Sequence, residues 1–493
     1  MLTLIWLLPL VGGAIIAFLP RGYAKGAALA VTLATLGLAA DVAATVSPSH
    51  GFQGFYSLNQ LQNGLPPLPC GFGFQFVQCA DWIPQYHISY VLGVDGVGVW
   101  LVVLNAFLGV VAVLATPQSM PRLNRFLGLM LLMQAGMAGV FMSLDLVLFY
   151  VFWEAMLIPT YFLLWQWGEG SSPGGAALKF VLYTLVGSLL LLIGIIGEYV
   201  ATGQRSFDLT GLLFAPRPDG AVQFGLFILF ALAFAIKVPV FPFHSWLPDA
   251  YLAAPAPMLV TFAGVMGKTG AYAFLRFVLP LLGHPVLWWD WDWVLAGLAA
   301  AGIIYGAFLA LRQTDMKAIV AYSSISHMGF IVLGIFALNE QGSEGAVLQM
   351  VNHGIIIAAL FLIVAWLAAR AGTRDRLALQ GLAPRLPILT GIFMVVTLAA
   401  LGLPGLNSFT GEFMTMLGAW QASAALAVAA AVGLILTPVY MLRMFQGALQ
   451  GPPPPDRGSL VDLALGEVGV LAPLVVLMFV LGVYPYVITR LMQ

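Results

Sequence analysis

Residues 222–246 read VQFGLFILFALAFAIKVPVFPFHSW. A helix needs about 20 apolar residues to cross the hydrocarbon core of a bilayer, and this run is long enough with a single charge, Lys237, near its centre. A charge at that depth is costly and marks function more often than accident. Pro239 and Pro242 follow at once. Proline deletes a backbone donor and frees a carbonyl, which is tolerated inside a membrane only where the break is buried in protein or lines a wet cavity. One stretch therefore predicts a membrane span, a buried ionisable group and an interrupted helix.

The whole chain is built of such runs. Of its 493 residues 61% are hydrophobic and 8% charged, with a net charge of −1. Soluble domains carry about 25% charged residues, so lipid must be most of the solvent. The charge balance gives no field for nucleic acid or for a polybasic membrane patch. Two cysteines exclude a cysteine-ligated iron–sulfur cluster. A glycine-rich dinucleotide fingerprint and a P-loop are both absent. Residues 1–20 lack a basic leader and a small-residue cleavage pattern, and read as a first retained span.

Counting apolar runs gives about fourteen spans: 2–20, 26–46, 95–116, 124–143, 145–167, 177–201, 222–246, 256–280, 292–312, 317–338, 344–370, 388–418, 421–446 and 464–489. The runs do not alternate as membrane strands would, so the expected fold is an all-α membrane bundle in one polytopic domain, 1–493. With the N-terminus outside, thirteen of the nineteen Lys and Arg fall in odd-numbered, cytoplasmic loops. Arg205, Arg217 and Arg490 fall on the other face, and Lys237, Lys268 and Arg276 fall inside spans. The long segment 47–94 has no Lys or Arg and is expected outside; a disulfide between its Cys70 and Cys79 and a pair of free thiols are both compatible with the sequence. Pro452 to Pro455 reads as a stiff linker before the last span.

Four charges lie at mid-membrane in four helices: Glu154 in YVFWEAMLIP, Lys237, Lys268 in GVMGKTGAY and Glu412 in LPGLNSFTGEF. Static ion pairs tying helices together would be the plain alternative, but a buried pair rarely returns its desolvation cost. Burial lowers the pKa of a lysine and raises that of a carboxylate, so such groups are natural titrating elements. His327 in YSSISHMGF and His353 in QMVNHGIII lie on consecutive helices between Lys268 and Glu412 in chain order. Histidine can take a proton on one nitrogen and release it from the other. Ser323, Ser324 and Ser326 are placed to hold waters, and His244 is read as interfacial and ranks below the other two. Span 12 is broken like span 7, at Gly402-Leu-Pro404-Gly405. Each is fourth in a set of five, 4–8 and 9–13, and interrupted helices at matching positions point to the path of an internally repeated transporter. The implied organisation is spans 1–3 in 1–123, a first repeat in 124–280, a second in 292–446 and a last span at 464–489.

The stretches FYVFWEAMLIPTYFLLWQWG, AFAIKVPVFPFHSWLPDA, MGKTGAYAFLRF, YGAFLALRQTDMKAIVAYSSISHMGF and LGLPGLNSFTGEF resemble the antiporter-like subunits shared by respiratory complex I and the multi-subunit cation/proton antiporters. The resemblance covers nearly the whole chain. It implies fourteen helices, inverted repeats at 4–8 and 9–13, and proton-transfer roles for Glu154, Lys237, Lys268, His327, His353 and Glu412. L- and N-type members usually carry lysine in helix 12 and the M-type carries glutamate, so Glu412 points to the M-type. The run after WLPDA departs from the family's usual polar one: it is Ala250-Tyr-Leu-Ala-Ala-Pro255.

By that resemblance the chain translocates protons, with Glu154 and Lys237 as a switch and the file Lys268, His327, His353, Glu412 as the relay. Flavin, iron–sulfur clusters and quinone are expected in other subunits and no cofactor in this one. The expected partners are neighbouring L- and N-type subunits, lipid and protons, in a bacterial inner membrane. A sodium/proton antiporter chain, a membrane subunit of a hydrogenase or ferredoxin-driven complex, and a purely structural scaffold are the rival readings. The helix-12 glutamate argues against the first, and the central charges against the last.

Overall fold

A computed structural model describes residues 1–48, 70–203, 206–215, 219–282, 291–452 and 460–492, with the side chains of 291 and 292 left aside. Arg205, Arg217, Arg457 and prolines 453–455 lie outside the described residues, as does most of the segment 47–69.

Each expected span overlaps a helix, and those expected at 222–246 and 388–418 are broken. They are α1 (Leu2–Ile16), α2 (Arg21–Thr45), α3 (Gly98–Ala115), α4 (Leu123–Met142), α5 (Leu146–Trp167), α6 (Pro173–Ala201), α7a (Gly220–Lys237) and α7b (Trp246–Ala253). There follow α8 (Ala256–Leu282), α9 (Trp291–Arg312), α10 (Met316–Phe336), α11 (Glu340–Ala371), α12a (Pro387–Ala400), α12b (Asn407–Ala422), α13 (Ala424–Leu449) and α14 (Leu465–Val483). Among the described residues twelve helices are long and apolar enough to cross a membrane, and α1 and α12a are shorter apolar ones. Peripheral helices keep an apolar outer face: Leu178, Leu182, Leu185, Leu189, Ile193 and Ile196 of α6 are exposed. In contrast the most apolar window of α8 is wholly buried, so α8 is the axis of the bundle.

The helical reading needs one correction. The loop before α3 holds an antiparallel hairpin, β1 (Gln75–Ile83) and β2 (Ile88–Val94), turning at Pro84–Tyr86. Outside lipid the backbone need not satisfy itself within one helix, and the β-branched and aromatic run of β2 suits a strand. Cys70 and Cys79 are joined by a disulfide across the start of the hairpin. Tyr90 of β2 takes hydrogen bonds from α1 through Trp6 Nε1 (3.1 Å) and contacts Thr3 Oγ1 (2.7 Å).

Helix starts are set by side-chain caps. Asp145, Asp315 and Asn339 accept backbone N–H groups at the starts of α5, α10 and α11, and Pro173 opens α6. Two of these caps belong to matching junctions. At one, Leu146 N donates to Phe207 O (2.9 Å) and Leu209 N to Leu144 O (2.7 Å), so that Asp145 and Asp208 face each other as caps. At the other, Met316 N donates to Arg374 O and Arg376 N to Thr314 O (both 3.0 Å), pairing Asp315 with Asp375. The first junction lies on the face that carries the hairpin. The second lies on the opposite face, among Lys179–Asp249, Lys317–Glu169 and Arg374–Asp315 ion pairs.

Breaks are where the sequence puts prolines, and at the α7 break a side chain takes a backbone carbonyl. Helix α7a stops at Lys237, earlier than the expected 246, and the indole of Trp246 donates to the Ile236 carbonyl (2.9 Å). In α12 the chain passes through Gly402 (φ +77°) and Gly405 (φ +93°), a left-handed backbone that suits glycine. Helix α5 is interrupted at Met156, one turn before Pro159, which has no N–H for the carbonyl of Ala155.

Asp145 ties the start of α5 to the hairpin: Oδ1 accepts from Val147 N and Leu148 N, and Oδ2 accepts from Ser89 N of the hairpin (3.1 Å). Burial, assisted by nearby Asp208, raises its pKa to about 6 against three opposing backbone hydrogen bonds. A raised carboxylate pKa means the folded junction holds a proton that the opened one releases, so stability is fullest near pH 4 and falls as pH rises through 6. Hydrogen exchange of hairpin peptides, corrected for intrinsic rates, should slow between pH 7 and 5 in the wild type and not in Asp145→Asn. Thiol alkylation should leave Cys70 and Cys79 unmodified until reductant is added; labelling of both without reductant would contradict the bridge.

Candidate proton-transfer site

The side chains that carry charge through the core come from α8, α10, α11 and α12b. Lys268 sits just after a π turn at Phe262–Met266 and is fully buried. A π turn holds an extra residue and leaves its carbonyls poorly paired. The Lys268 Nζ uses one of them, donating to Ala263 O (2.8 Å), and lies 2.8 Å from His353 Nδ1. When Lys268 carries its extra proton, Nδ1 of His353 is the acceptor of that contact and the neutral ring holds its proton on Nε2. That Nε2 is buried without a partner.

The next ring is His327, with centroids 5.4 Å apart. His327 Nδ1 lies 3.0 Å from Glu412 Oε1, at ion-pair distance though not aligned as a hydrogen bond. The same carboxylate oxygen accepts from Ser408 Oγ (2.9 Å) and Gln349 Nε2 (3.1 Å), and Gln349 also donates to Ser408 (3.1 Å). The second oxygen, Oε2, is buried and unpartnered, facing the α12 break: a Cβ on Gly402 would come within 2.7 Å of it. Asn352 and Asn407 close that break, Asn352 Nδ2 donating to Asn407 O (2.7 Å) and Asn407 Nδ2 donating to Asn352 Oδ1 (3.2 Å). Four expected residues thus form one file, ordered Lys268, His353, His327, Glu412.

Glu154 and Lys237 are not brought into contact. The Lys237 ammonium lies over the Trp153 ring at 5.0 Å and near Phe180 at 5.9 Å, and among the described residues no carboxylate is within 4.0 Å of it. Glu154 Oε1 has no partner. Helix α8 packs close against this end of α7a, since a Cβ on Gly270 would meet Lys237 Cβ at 3.3 Å. Of the three serines, Ser323 and Ser326 spend their hydroxyls on Val320 O and Ile303 O, while Ser324 Oγ is unpartnered. His244 is buried in the α7 break between Phe241 and Tyr305.

Sequence reasoning missed Gln349 and Ser408. Both lie four residues before a residue it found, His353 and Glu412, and so on the same helical face. It also missed that Arg276 pairs with Asp95 in the core (2.6 Å).

Comparison with known proteins bears on what this file serves. Residues 143–437 match the family model described as NADH:quinone oxidoreductase/Mrp antiporter, TM. NADH-quinone oxidoreductase subunit M of Mycobacterium tuberculosis is 38% identical over 98% of this chain and 91% of its own length. Subunit M of Escherichia coli K12 is 38% identical over 88% of this chain and 85% of its own. A chain of respiratory complex I from Thermus thermophilus superposes with a TM-score of 0.85 at 31% identity, covering 100% of this chain and 98% of that one. A chain of the Mrp complex from Dietzia shares the fold, with a TM-score of 0.81 at 23% identity. The polar file through the bundle, its broken helices and these likenesses agree: the chain belongs to the NADH:quinone oxidoreductase/Mrp antiporter family of membrane subunits, among the subunit M proteins of NADH-quinone oxidoreductase.

Proposed function

We infer that this chain is a proton-translocating, antiporter-like membrane subunit of complex I, and that Lys268, His353, His327 and Glu412 are its proton path. The observation that carries the path is the contact series 2.8 Å from Lys268 to His353, 5.4 Å between the two imidazole centroids and 3.0 Å from His327 to Glu412. The protonated Lys268 gives its proton to His353 Nδ1. His353 releases the proton on Nε2 toward His327, and His327 passes one to Glu412, whose free Oε2 faces the α12 break. Each step moves one proton: Lys268 is left neutral, and each imidazole is left protonated on the nitrogen that accepted, so both rings must exchange tautomer before the next proton passes.

Lys237 is the control element in this reading. Its charge rests on aromatic faces, an attraction weaker than a buried ion pair, and Glu154 acts on it through space without touching it. A change in the field at Glu154, supplied by a neighbouring subunit, therefore reaches Lys237 through the protein interior. The energy comes from quinone reduction elsewhere in the complex, where flavin, iron–sulfur clusters and quinone reside.

The rest of the reading follows the same logic. Fourteen crossings count α1, and α12a with α12b, as spans. The Asp145/Asp208 and Asp315/Asp375 junctions on opposite faces, together with the breaks in α7 and α12, support inverted repeats over α4–α8 and α9–α13. The domain limits are those repeats, with spans 1–3 before them and a last span after. The basic face is cytoplasmic and the hairpin face periplasmic in a bacterial inner membrane, with L- and N-type subunits as neighbours. A sodium/proton antiporter chain is disfavoured, since the Mrp likeness at 23% identity extends to the fold alone while the subunit M proteins reach 38%.

Complex carrying Lys237→Ala, reconstituted in proteoliposomes, should assemble but lose coupled pumping; full pumping would end the switch reading. Glu412→Gln keeps the shape and the Ser408 and Gln349 contacts but cannot hold the relayed proton. It should lower proton delivery per electron, and an unchanged ratio would remove Glu412 from the path.

A further inference from the structure

Along α8, Lys268, Tyr272 and Arg276 recur at intervals of four and so follow one face of the helix. The stretch that carries Lys268, Gly267–Ala273, is bounded by two π turns, Phe262–Met266 and Phe274–Val278. A π turn holds one residue more than an α turn, so gaining or losing either one rotates the stretch between them by about 100° relative to the helix ends. Rotation of that size would carry the Lys268 ammonium away from His353. Something must select the register observed.

Arg276 lies in the outer π turn and is 5% exposed; its partner Asp95, between the hairpin and α3, is 2% exposed. Arg276 Nη2 donates to Asp95 Oδ1 (2.6 Å) and Nε to the Tyr272 hydroxyl (2.9 Å), which in turn donates to Phe141 O of α4 (3.0 Å). Asp95 Oδ1 is itself fixed by Val97 N (3.1 Å) and Gly98 N (2.8 Å). The guanidinium stacks on Phe74 beside the hairpin (4.7 Å to the centroid). Gly98 permits this approach: a Cβ there would meet Phe141 O at 3.1 Å. The outer turn of α8 is thus bolted to α3, α4 and the hairpin segment. A fully buried ion pair adds little net stability over apolar side chains, and its best-attested use is to fix register.

We propose that Asp95 and Arg276 are a positioning pair: a register latch that holds α8 in the rotation that points Lys268 at His353. The proposal rests on the relay reading of Lys268 for its consequence, but not for its geometry. It predicts that breaking the latch leaves the complex assembled with α8 sampling a second register.

The test uses assembled complex with a cysteine pair, Gly267→Cys and Met328→Cys, joined by a short bifunctional thiol reagent. The Met328 Cε lies 3.5 Å from the Cβ position at Gly267, and the natural cysteines are occupied by their own bridge. Adding Asp95→Asn, which keeps an acceptor for Val97 and Gly98 N–H, or Arg276→Met should lower the cross-link yield by about tenfold or more, the scale of breaking a buried pair. Arg276→Lys, which restores the charge, should recover most of it. Without the cysteine pair, proton delivery per electron in Asp95→Asn should fall and its pH profile should move, since Lys268 then loses its histidine partner. An unchanged cross-link in both Asp95→Asn and Arg276→Met overturns the latch. A lost cross-link with unchanged proton delivery and pH profile upholds the latch and overturns the relay through Lys268 and His353.

Discussion

A charge or a bare peptide group inside lipid has nowhere to turn but to the protein itself. Nearly every feature of this bundle answers that constraint. Where α7 breaks, the Trp246 indole takes the Ile236 carbonyl; where α12 breaks, Asn352 and Asn407 exchange amide hydrogen bonds. Where α8 bulges, the Lys268 ammonium takes a carbonyl that the bulge releases. Leaving one such buried group unpaired costs about 1–3 kcal/mol, enough to matter against the roughly 5–15 kcal/mol by which ordinary domains stay folded.

The same constraint separates scaffold from path. Polar groups that are fully satisfied, such as Asp95 with Arg276 or Asp315 at the start of α10, hold helices in place. The proposed file also carries open valences: His353 Nε2, His327 Nδ1 and Glu412 Oε2 are all buried without a hydrogen-bond partner, as are other polar atoms elsewhere in the bundle. Proton relay needs that incompleteness, because a site with every lone pair and proton committed can neither accept nor release. The α12 break puts the free Oε2 of Glu412 where the backbone is already irregular.

Much of this is legible in the amino-acid sequence alone. Span boundaries follow from run length because lipid imposes a nearly all-or-none hydropathy rule, and the helices fall within a few residues of those read from the sequence, apart from the ends set by Pro239 and Gly402. The six ionisable positions stand out for the same reason: in an apolar background a single Lys237 or Glu412 is conspicuous. Pairing is what the sequence hides. Chain order suggests His327 before His353, but the packing of α8 against α11 makes His353 the neighbour of Lys268 and His327 that of Glu412. The family resemblance likewise suggests a Glu154–Lys237 pair, yet Lys237 sits on the faces of Trp153 and Phe180. The hairpin is hidden because the membrane rules stop at its boundary, and the Arg276–Asp95 pair because its partners are separated by 181 positions.

If protons cross this chain through the two facing imidazoles, cutting the middle of the file must show in the yield of protons. The most direct measurement is the ratio of protons moved to electrons transferred by reconstituted complex carrying His353→Leu, an apolar substitution of similar bulk. Normal assembly with a lowered ratio is the expected result. A ratio equal to that of the wild type would mean that protons do not pass this way.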